Sequence, residues 1–205
     1  MWYVIVALAA YLLGSSNMAF YLEKLTKKSV RGGGSGNLGA SNAVILLGWK
    51  AGLLVGIHDI GKAILAVLLS QWLLPEVPNI GVVAGVACVL GHIFPFYLKF
   101  KGGKGFASFV GMVIALNWKL AIVVALMIVV VTLITDYIVA ATLSSIISVP
   151  IAMGIVNQSV TVGLLVAAAS VVIGIKHHEN LKRIFITGTE IGFRNASSGK
   201  HRIKK

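Results

Sequence analysis

Seven apolar runs, parted by short polar or glycine-rich stretches, divide this chain. They are residues 2–21, 50–74, 80–98, 106–116, 119–134, 137–156 and 160–175. A helix that crosses a bilayer needs about 20 apolar residues, and fewer where it is buried among others. Within lipid each backbone N–H and C=O must find a partner inside the protein, which favours helices for such runs. The expected fold is an all-α polytopic membrane protein with about seven transmembrane helices. Composition points the same way, since 58% of the 205 residues are hydrophobic and only 12% charged, outside the range of soluble domains. The run 106–116 is short and follows a glycine-rich loop, so a half-helix is expected there. The piece 42–47 is expected to be re-entrant or interfacial.

The net charge of +12 sits in short patches between apolar runs. That pattern is a topology signal and not a nucleic-acid face, so no nucleic-acid partner is expected. Lys24, Lys27, Lys28 and Arg31 follow the first run; Lys99, Lys101 and Lys104 follow the third; the tail from Lys176 is basic. The positive-inside rule then puts the N-terminus outside and the C-terminus in the cytoplasm, with Lys119 a mild exception. The first run lacks a charged leader and a small-residue cleavage site, and reads as a retained helix. A single cysteine, Cys88, excludes a disulfide framework within one chain.

Three regions assigned to the cytoplasmic side are richer in glycine and polar residues than a connection requires: 31–42, 92–105 and 177–190. In the second, Lys101-Gly102-Gly103-Lys104-Gly105 sets three glycines beside two lysines. Without a Cβ, backbone N–H groups approach a ligand closely. The lysines add compact positive charge. Together they suit an anion, above all phosphate. The spacing is not G-x-x-x-x-G-K-[ST], and no nucleotide hydrolysis is expected. His92, upstream, is a candidate to accept or donate a proton.

The first region, Gly32-Gly33-Gly34-Ser35-Gly36-Asn37-Leu38-Gly39-Ala40-Ser41-Asn42, holds five glycines in eight positions. It offers amide donors, a hydroxyl and carboxamides; its shortness, its place between apolar runs and its two asparagines favour a built site over a flexible linker. Ser41 or Asn42 is suited to cap a short helix. In the third region His177, Asn180 and Arg183 recur every three residues and share a helical face. A basic helix end at the membrane surface explains them equally well. Asp59 and Lys62 lie inside an apolar run, where ionisable groups are costly and usually paired or functional. Their i, i+3 spacing suits a structural ion pair that supports the site. Asp136 is expected to cap a helix N-terminus. Histidine spacing and scarce carboxylates suggest no metal site. The residues by themselves leave two classes open. One is an enzyme acting on a phosphate-bearing lipid or metabolite. The other is a transporter of a phosphorylated metabolite with Asp59 and Lys62 as its coupling pair, which one-sided motifs and the lack of repeats disfavour.

The stretch Gly34-Ser35-Gly36-Asn37-Leu38-Gly39-Ala40-Ser41-Asn42 resembles the first motif of the bacterial acyl-phosphate:glycerol-3-phosphate acyltransferases, the PlsY family. Gly91-His92-Ile93-Phe94-Pro95 followed by Phe100-Lys101-Gly102-Gly103-Lys104-Gly105 resembles the second, and His177, Asn180, Arg183 and Glu190 the third. The resemblance implies a multi-pass inner-membrane enzyme that needs no cofactor, metal or acyl-CoA. It would transfer an acyl group from acyl phosphate to the 1-hydroxyl of glycerol 3-phosphate. The products would be 1-acyl-glycerol 3-phosphate and phosphate, the first step of bacterial phospholipid synthesis. A separate soluble phosphate acyltransferase would supply the donor. Residues 1–190 would form one domain and 191–205 a basic cytoplasmic tail. Ser35, His92, Lys104 and Asn180 would be catalytic. Gly36, Asn37, Gly39, Asn42, Lys101, Gly102, Gly103, Gly105, His177 and Arg183 would bind the substrates and their phosphates, with Asp59, Lys62 and Glu190 in support. Family members usually carry an arginine three residues after the last asparagine of the first motif, where this chain has Ile45. That departure raises a non-catalytic or altered-substrate paralogue as the alternative.

Overall fold

The computed structural model describes residues 1–187. The α-helices in chain order are α1 (Trp2–Ser15), α2 (Met18–Thr26), α3 (Ala40–Leu47), α4 (Trp49–Leu73), α5 (Ile80–Ile93), α6 (Phe106–Leu116), α7 (Trp118–Thr135), α8 (Ile138–Val156) and α9 (Val160–Lys182). No strand occurs among the described residues. Six stretches are long and apolar enough to cross a membrane: Trp2–Thr26, Trp49–Leu73, Ile80–Leu98, Trp118–Thr135, Ile138–Val156 and Val160–Thr187. The seventh expected span, α6, has 11 residues. At 1.5 Å per residue it reaches about 16 Å, roughly half the hydrocarbon thickness.

The chain divides into two compact units, Met1–Lys119 and Leu120–Lys205, the second described as far as Thr187. In the first unit α5 is the axis, with 11 of its 14 residues buried. It packs against α1, α4 and α6. Small residues allow this. A Cβ on Gly14 of α1 would overlap the Cys88 backbone of α5, and one on Gly91 of α5 would overlap the Tyr11 carbonyl of α1. Lipid offers helices no hydrophobic drive to associate, so close backbone approach and van der Waals contact take its place. A Cβ on Gly111 of α6 would likewise meet the Ile60 carbonyl of α4.

The first apolar run is expected as one helix, but it breaks between α1 and α2. Asn17 is the reason. Its side chain accepts from the Phe20 N–H at 2.9 Å and starts a new helix. The carbonyls released at the break are not left empty. The Tyr97 hydroxyl donates to the Ser15 oxygen at 2.9 Å, and Lys62 Nζ to the Ser16 oxygen at 2.7 Å.

In the second unit α8 and α9 pack along matching stripes. Val139, Thr142, Ser145, Val149 and Met153 face inward on one, and Val162, Val166, Ala169, Ile173 and His177 on the other. The tight turn between them ends at Ser159, whose Oγ accepts from the Val162 N–H at 3.3 Å. Asp136 caps no N-terminus. It stands at φ 66°, its N–H donates to the Thr132 carbonyl at 2.8 Å, and Tyr137 is the residue that precedes α8. The left-handed conformation that ends α7 is tolerated by Asp better than by most residues.

Gly91→Val should lower the stability of detergent-solubilised protein by about 1–3 kcal/mol or more, through overpacking of α1 against α5. Gly61→Ala is its control. A Cβ there meets nothing within 4 Å, and the change should be neutral or gain up to about 1 kcal/mol of helix propensity. Thermal unfolding followed by circular dichroism reads both.

Candidate active site

The first glycine-rich region is a built loop and not a linker. Its centre is Asn42, 1% exposed in the first turn of α3. Asn42 Nδ2 donates to the carbonyls of Val30 at 2.8 Å, Asn37 at 3.0 Å and Gly33 at 3.3 Å. Its Oδ1 accepts from the Ser35 N–H at 2.9 Å. One buried carboxamide therefore ties four points of the loop together. Gly34 and Gly36 take φ of +57° and +65°, which lets the chain turn around it. Val30 and Leu38 anchor the two ends in a core with Ala19, Ala43, Val55 and Leu98. Ser35 and Gly36 stay exposed at the tip, and Asn37 and Gly39 half-buried beside it. Asn42 was expected on the substrate, but its polar atoms are engaged by the loop itself. Neither Ser41 nor Asn42 caps α3, because the helix starts at Ala40 behind Gly39.

The second glycine loop rests on a charged cluster. Asp59 and Lys62 of α4 and His92 of α5 are 1%, 5% and 3% exposed. Lys62 Nζ donates to Asp59 Oδ1 at 2.9 Å and lies 2.9 Å from His92 Nδ1. Asp59 Oδ1 is also 3.3 Å from His92 Nδ1 and from His58 Nδ1. Asp59 and Lys62 pair at i, i+3 as their spacing predicts. His92 is placed differently from the sequence expectation. Its Nδ1 is held by the cluster, and its Nε2 faces Gly103 so closely that a Cβ on that glycine would overlap the ring. It stands as a wall behind the loop.

From there the main chain folds back. The Gly102 N–H donates to the Ile93 carbonyl at 3.1 Å and the Gly103 N–H to the His92 carbonyl at 3.1 Å. Lys99 and Phe100 just before them both have positive φ, 53° and 59°, which is how the chain reverses after the turn Phe96–Leu98. Gly105 at φ +94° then opens α6, where Ser108 Oγ donates to the Asp59 carbonyl at 3.1 Å. Lys101 is exposed and Lys104 half-buried on this loop.

The α1–α2 break links the two loops. Lys62 binds the Ser16 carbonyl, His58 Nε2 lies 3.0 Å from Ser16 Oγ, and Asn17 Nδ2 donates to the Leu38 carbonyl at 3.3 Å. Ser16, Asn17 and Ser108 were missed by sequence reasoning. The signal for the first two was present, since Ser15-Ser16-Asn17 interrupts an apolar run. Ile45 falls within α3 and is half-buried.

The third region belongs to the second unit. His177 and Asn180 are buried residues of α9, and His177 Nδ1 lies 2.8 Å from the Ile173 carbonyl. Arg183 opens the π-helical turn Arg183–Thr187 that follows. Glu190 and the tail from 191 lie outside the described residues.

Comparison with known proteins matches this geometry to one family. The family model for glycerol-3-phosphate acyltransferase matches residues 4–187. A glycerol-3-phosphate acyltransferase of Thermoanaerobacter pseudethanolicus is 35% identical over 195 residues, covering 93% of this chain and 95% of the relative. Glycerol-3-phosphate acyltransferase 1 of Oceanobacillus iheyensis is 36% identical, covering 90% and 92%. A crystal structure of PlsY (YgiH), an integral membrane glycerol 3-phosphate acyltransferase in its glycerol 3-phosphate form, superposes with a TM-score of 0.88 at 31% identity, over 96% of this chain and 98% of that one. The lysophosphatidic acid form of the same enzyme gives 0.83. With the matched region running from the first helix to the end of the described chain, this protein belongs to the glycerol-3-phosphate acyltransferase family.

Proposed function

We propose that this membrane protein transfers an acyl group from acyl phosphate to the 1-hydroxyl of glycerol 3-phosphate, giving 1-acyl-glycerol 3-phosphate and phosphate. The observation that carries the reading is the pair of glycine-rich loops in the first unit, each held from within by a buried polar side chain and by its own backbone bonds, with Ser35 exposed and Asn37 and Lys104 half-buried on them. Family membership supports the acceptor and the product class. The reading carries the chain as one acyltransferase domain over residues 1–190, with its N-terminus outside and its motif loops on the cytoplasmic face of a bacterial inner membrane. A soluble phosphate acyltransferase is the proposed source of the donor.

An acyl phosphate is a mixed anhydride, so its phosphate leaves without an acyl-enzyme intermediate. The acceptor oxygen bonds to the carbonyl carbon, the carbon–phosphate oxygen bond breaks, and phosphate departs with its electron pair. The acceptor proton passes to a non-bridging oxygen of that phosphate. His92 is not assigned this proton, because its ring is turned into the buried cluster and the loop backbone. The protein's part is to hold two anions, align one hydroxyl and exclude water, which lowers a barrier by about 7–11 kcal/mol in favourable cases. Lys104 would hold one phosphate, on a loop whose Gly102 and Gly103 amides are bonded to the Ile93 and His92 carbonyls and so fix its shape. The side chains of Ser35 and Asn37 with the amide of Gly39 would hold the other, or the oxyanion, while the Gly36 N–H donates to the Gly33 carbonyl at 3.0 Å and shapes the tip. A lost oxyanion donor typically costs about 3–4 kcal/mol. His177 and Arg183 as substrate-binding residues and Asn180 as a catalytic one are proposed from the family resemblance.

The direct test supplies purified protein with palmitoyl phosphate and labelled glycerol 3-phosphate, and palmitoyl-CoA in parallel. Labelled lysophosphatidate from the acyl phosphate alone is expected; product from the CoA ester alone would replace the donor. Lys104→Ala should reduce kcat/KM at least tenfold with normal expression, and unchanged kinetics would remove Lys104 from the phosphate site. Asn42→Leu should lower the melting temperature as well as the activity, because four loop bonds are lost together. A full loss of activity with unaltered melting would return Asn42 to the substrate.

A further inference from the structure

We propose that the buried Asp59–Lys62–His92 cluster is a positioning device that sets the 102–105 loop, and through it Lys104, in register with the first glycine loop. The inference rests on the acyltransferase reading for what the loop binds, but its geometry stands on its own.

Three features carry it. The first is that Lys62 is not free for substrate. Lys62 Nζ donates to the Ser16 carbonyl at 2.7 Å and to Asp59 Oδ1 at 2.9 Å, and lies 2.9 Å from His92 Nδ1. A lysine 5% exposed and enclosed by polar partners of the protein acts on structure. The second is that the cluster touches the loop through one residue. His92 receives the Gly103 N–H on its carbonyl and closes off the Gly103 Cα with its ring. A Cβ on the neighbouring Gly102 would overlap the same carbonyl. The loop therefore follows the position of His92, and Lys62 with Asp59 fixes the rotation of that ring. The third is that the residues of the cluster are also bonded to the helix that leaves the loop and to the α1–α2 break beside the first loop. Ser108, on the helix that leaves the loop, donates to the Asp59 carbonyl at 3.1 Å. The Ser16 carbonyl that Lys62 holds belongs to the break whose next residue, Asn17, donates to Leu38 in the first loop.

A cluster that only stabilised the fold would change the amount of active protein. A positioning cluster changes how substrate is held. Lys62→Met keeps length and removes the ammonium from the Ser16 carbonyl, Asp59 and His92. In wild-type protein the amides of Gly102 and Gly103 are hydrogen-bonded. Hydrogen exchange of the peptide 99–106 should accelerate at least tenfold in Lys62→Met, with peptides from α8 unchanged. Steady-state kinetics with palmitoyl phosphate and glycerol 3-phosphate should raise KM for at least one substrate tenfold or more. A fall in kcat alone, matching a smaller folded fraction, together with unchanged exchange would overturn the proposal.

A double-mutant cycle provides the second arm, in case Lys62→Met does not accumulate. Gly103 has no positive φ, and the three atoms nearest to a Cβ added there all belong to the His92 ring, which is therefore the main obstacle to Gly103→Ala. Gly103→Ala and His92→Ala should each reduce kcat/KM at least tenfold, and the double variant should be no worse than the weaker single. Losses that multiply would mean that ring and loop act independently, and the proposal would fall. Wild-type protein that makes no lysophosphatidate would sink the acyltransferase reading instead, and the exchange measurement would still decide this one.

Discussion

A lysine inside an apolar helix has to be answered, and the first unit is arranged around the answer to Lys62. Removing one member of such a buried pair typically costs about 3–5 kcal/mol, because the other charge is left without compensation. Here the carboxylate of Asp59 comes from one turn earlier on α4, an imidazole from α5, and a carbonyl from the break between α1 and α2. Each acceptor lies on a different packed element or turn. The lysine thus binds three parts of the bundle that lipid would not bring together by apolarity alone. A continuous helix would keep the Ser16 carbonyl for its own ladder, so the break and the charge depend on each other.

Close packing makes that meeting possible. α5 is dominated by small residues and takes α1 against its backbone at Gly91 and Cys88. With helices this near, a side chain as short as serine or asparagine spans the gap. Polar groups that would be isolated in lipid then find partners: Ser108 with Asp59, Tyr11 with the Phe94 carbonyl at 2.6 Å, and Tyr97 with Ser15. The two glycine loops are ordered by the same means. Asn42 organises one from inside, and His92 backs the other, so that Ser35, Asn37 and Lys104 stand on loops whose shape is held by buried groups.

That division of labour is drawn at two residues whose surroundings no motif shows. Asn42 and His92 occur inside motifs, and both have groups fit for substrate. Their burial, and the partners that occupy them, come from distant parts of the chain: Val30 for Asn42, and Lys62 for His92. Asp136 erred for a local reason, since aspartate serves both helix starts and left-handed helix ends, and its φ of 66° selects the second.

The sequence by itself determined the helical class, the order of apolar runs, the places of the glycine loops and the Asp59–Lys62 pairing. Those follow from local rules: the length of apolar runs, the freedom of glycine, and i, i+3 geometry on one helix. Only the tertiary structure decided the break at Ser16 and Asn17, the third partner of Lys62 and the turning of His92 toward Gly103. Each of these depends on which helices meet and at what depth, and such a meeting is fixed by the packing of many small contacts, none of which is written in the spacing of any one segment.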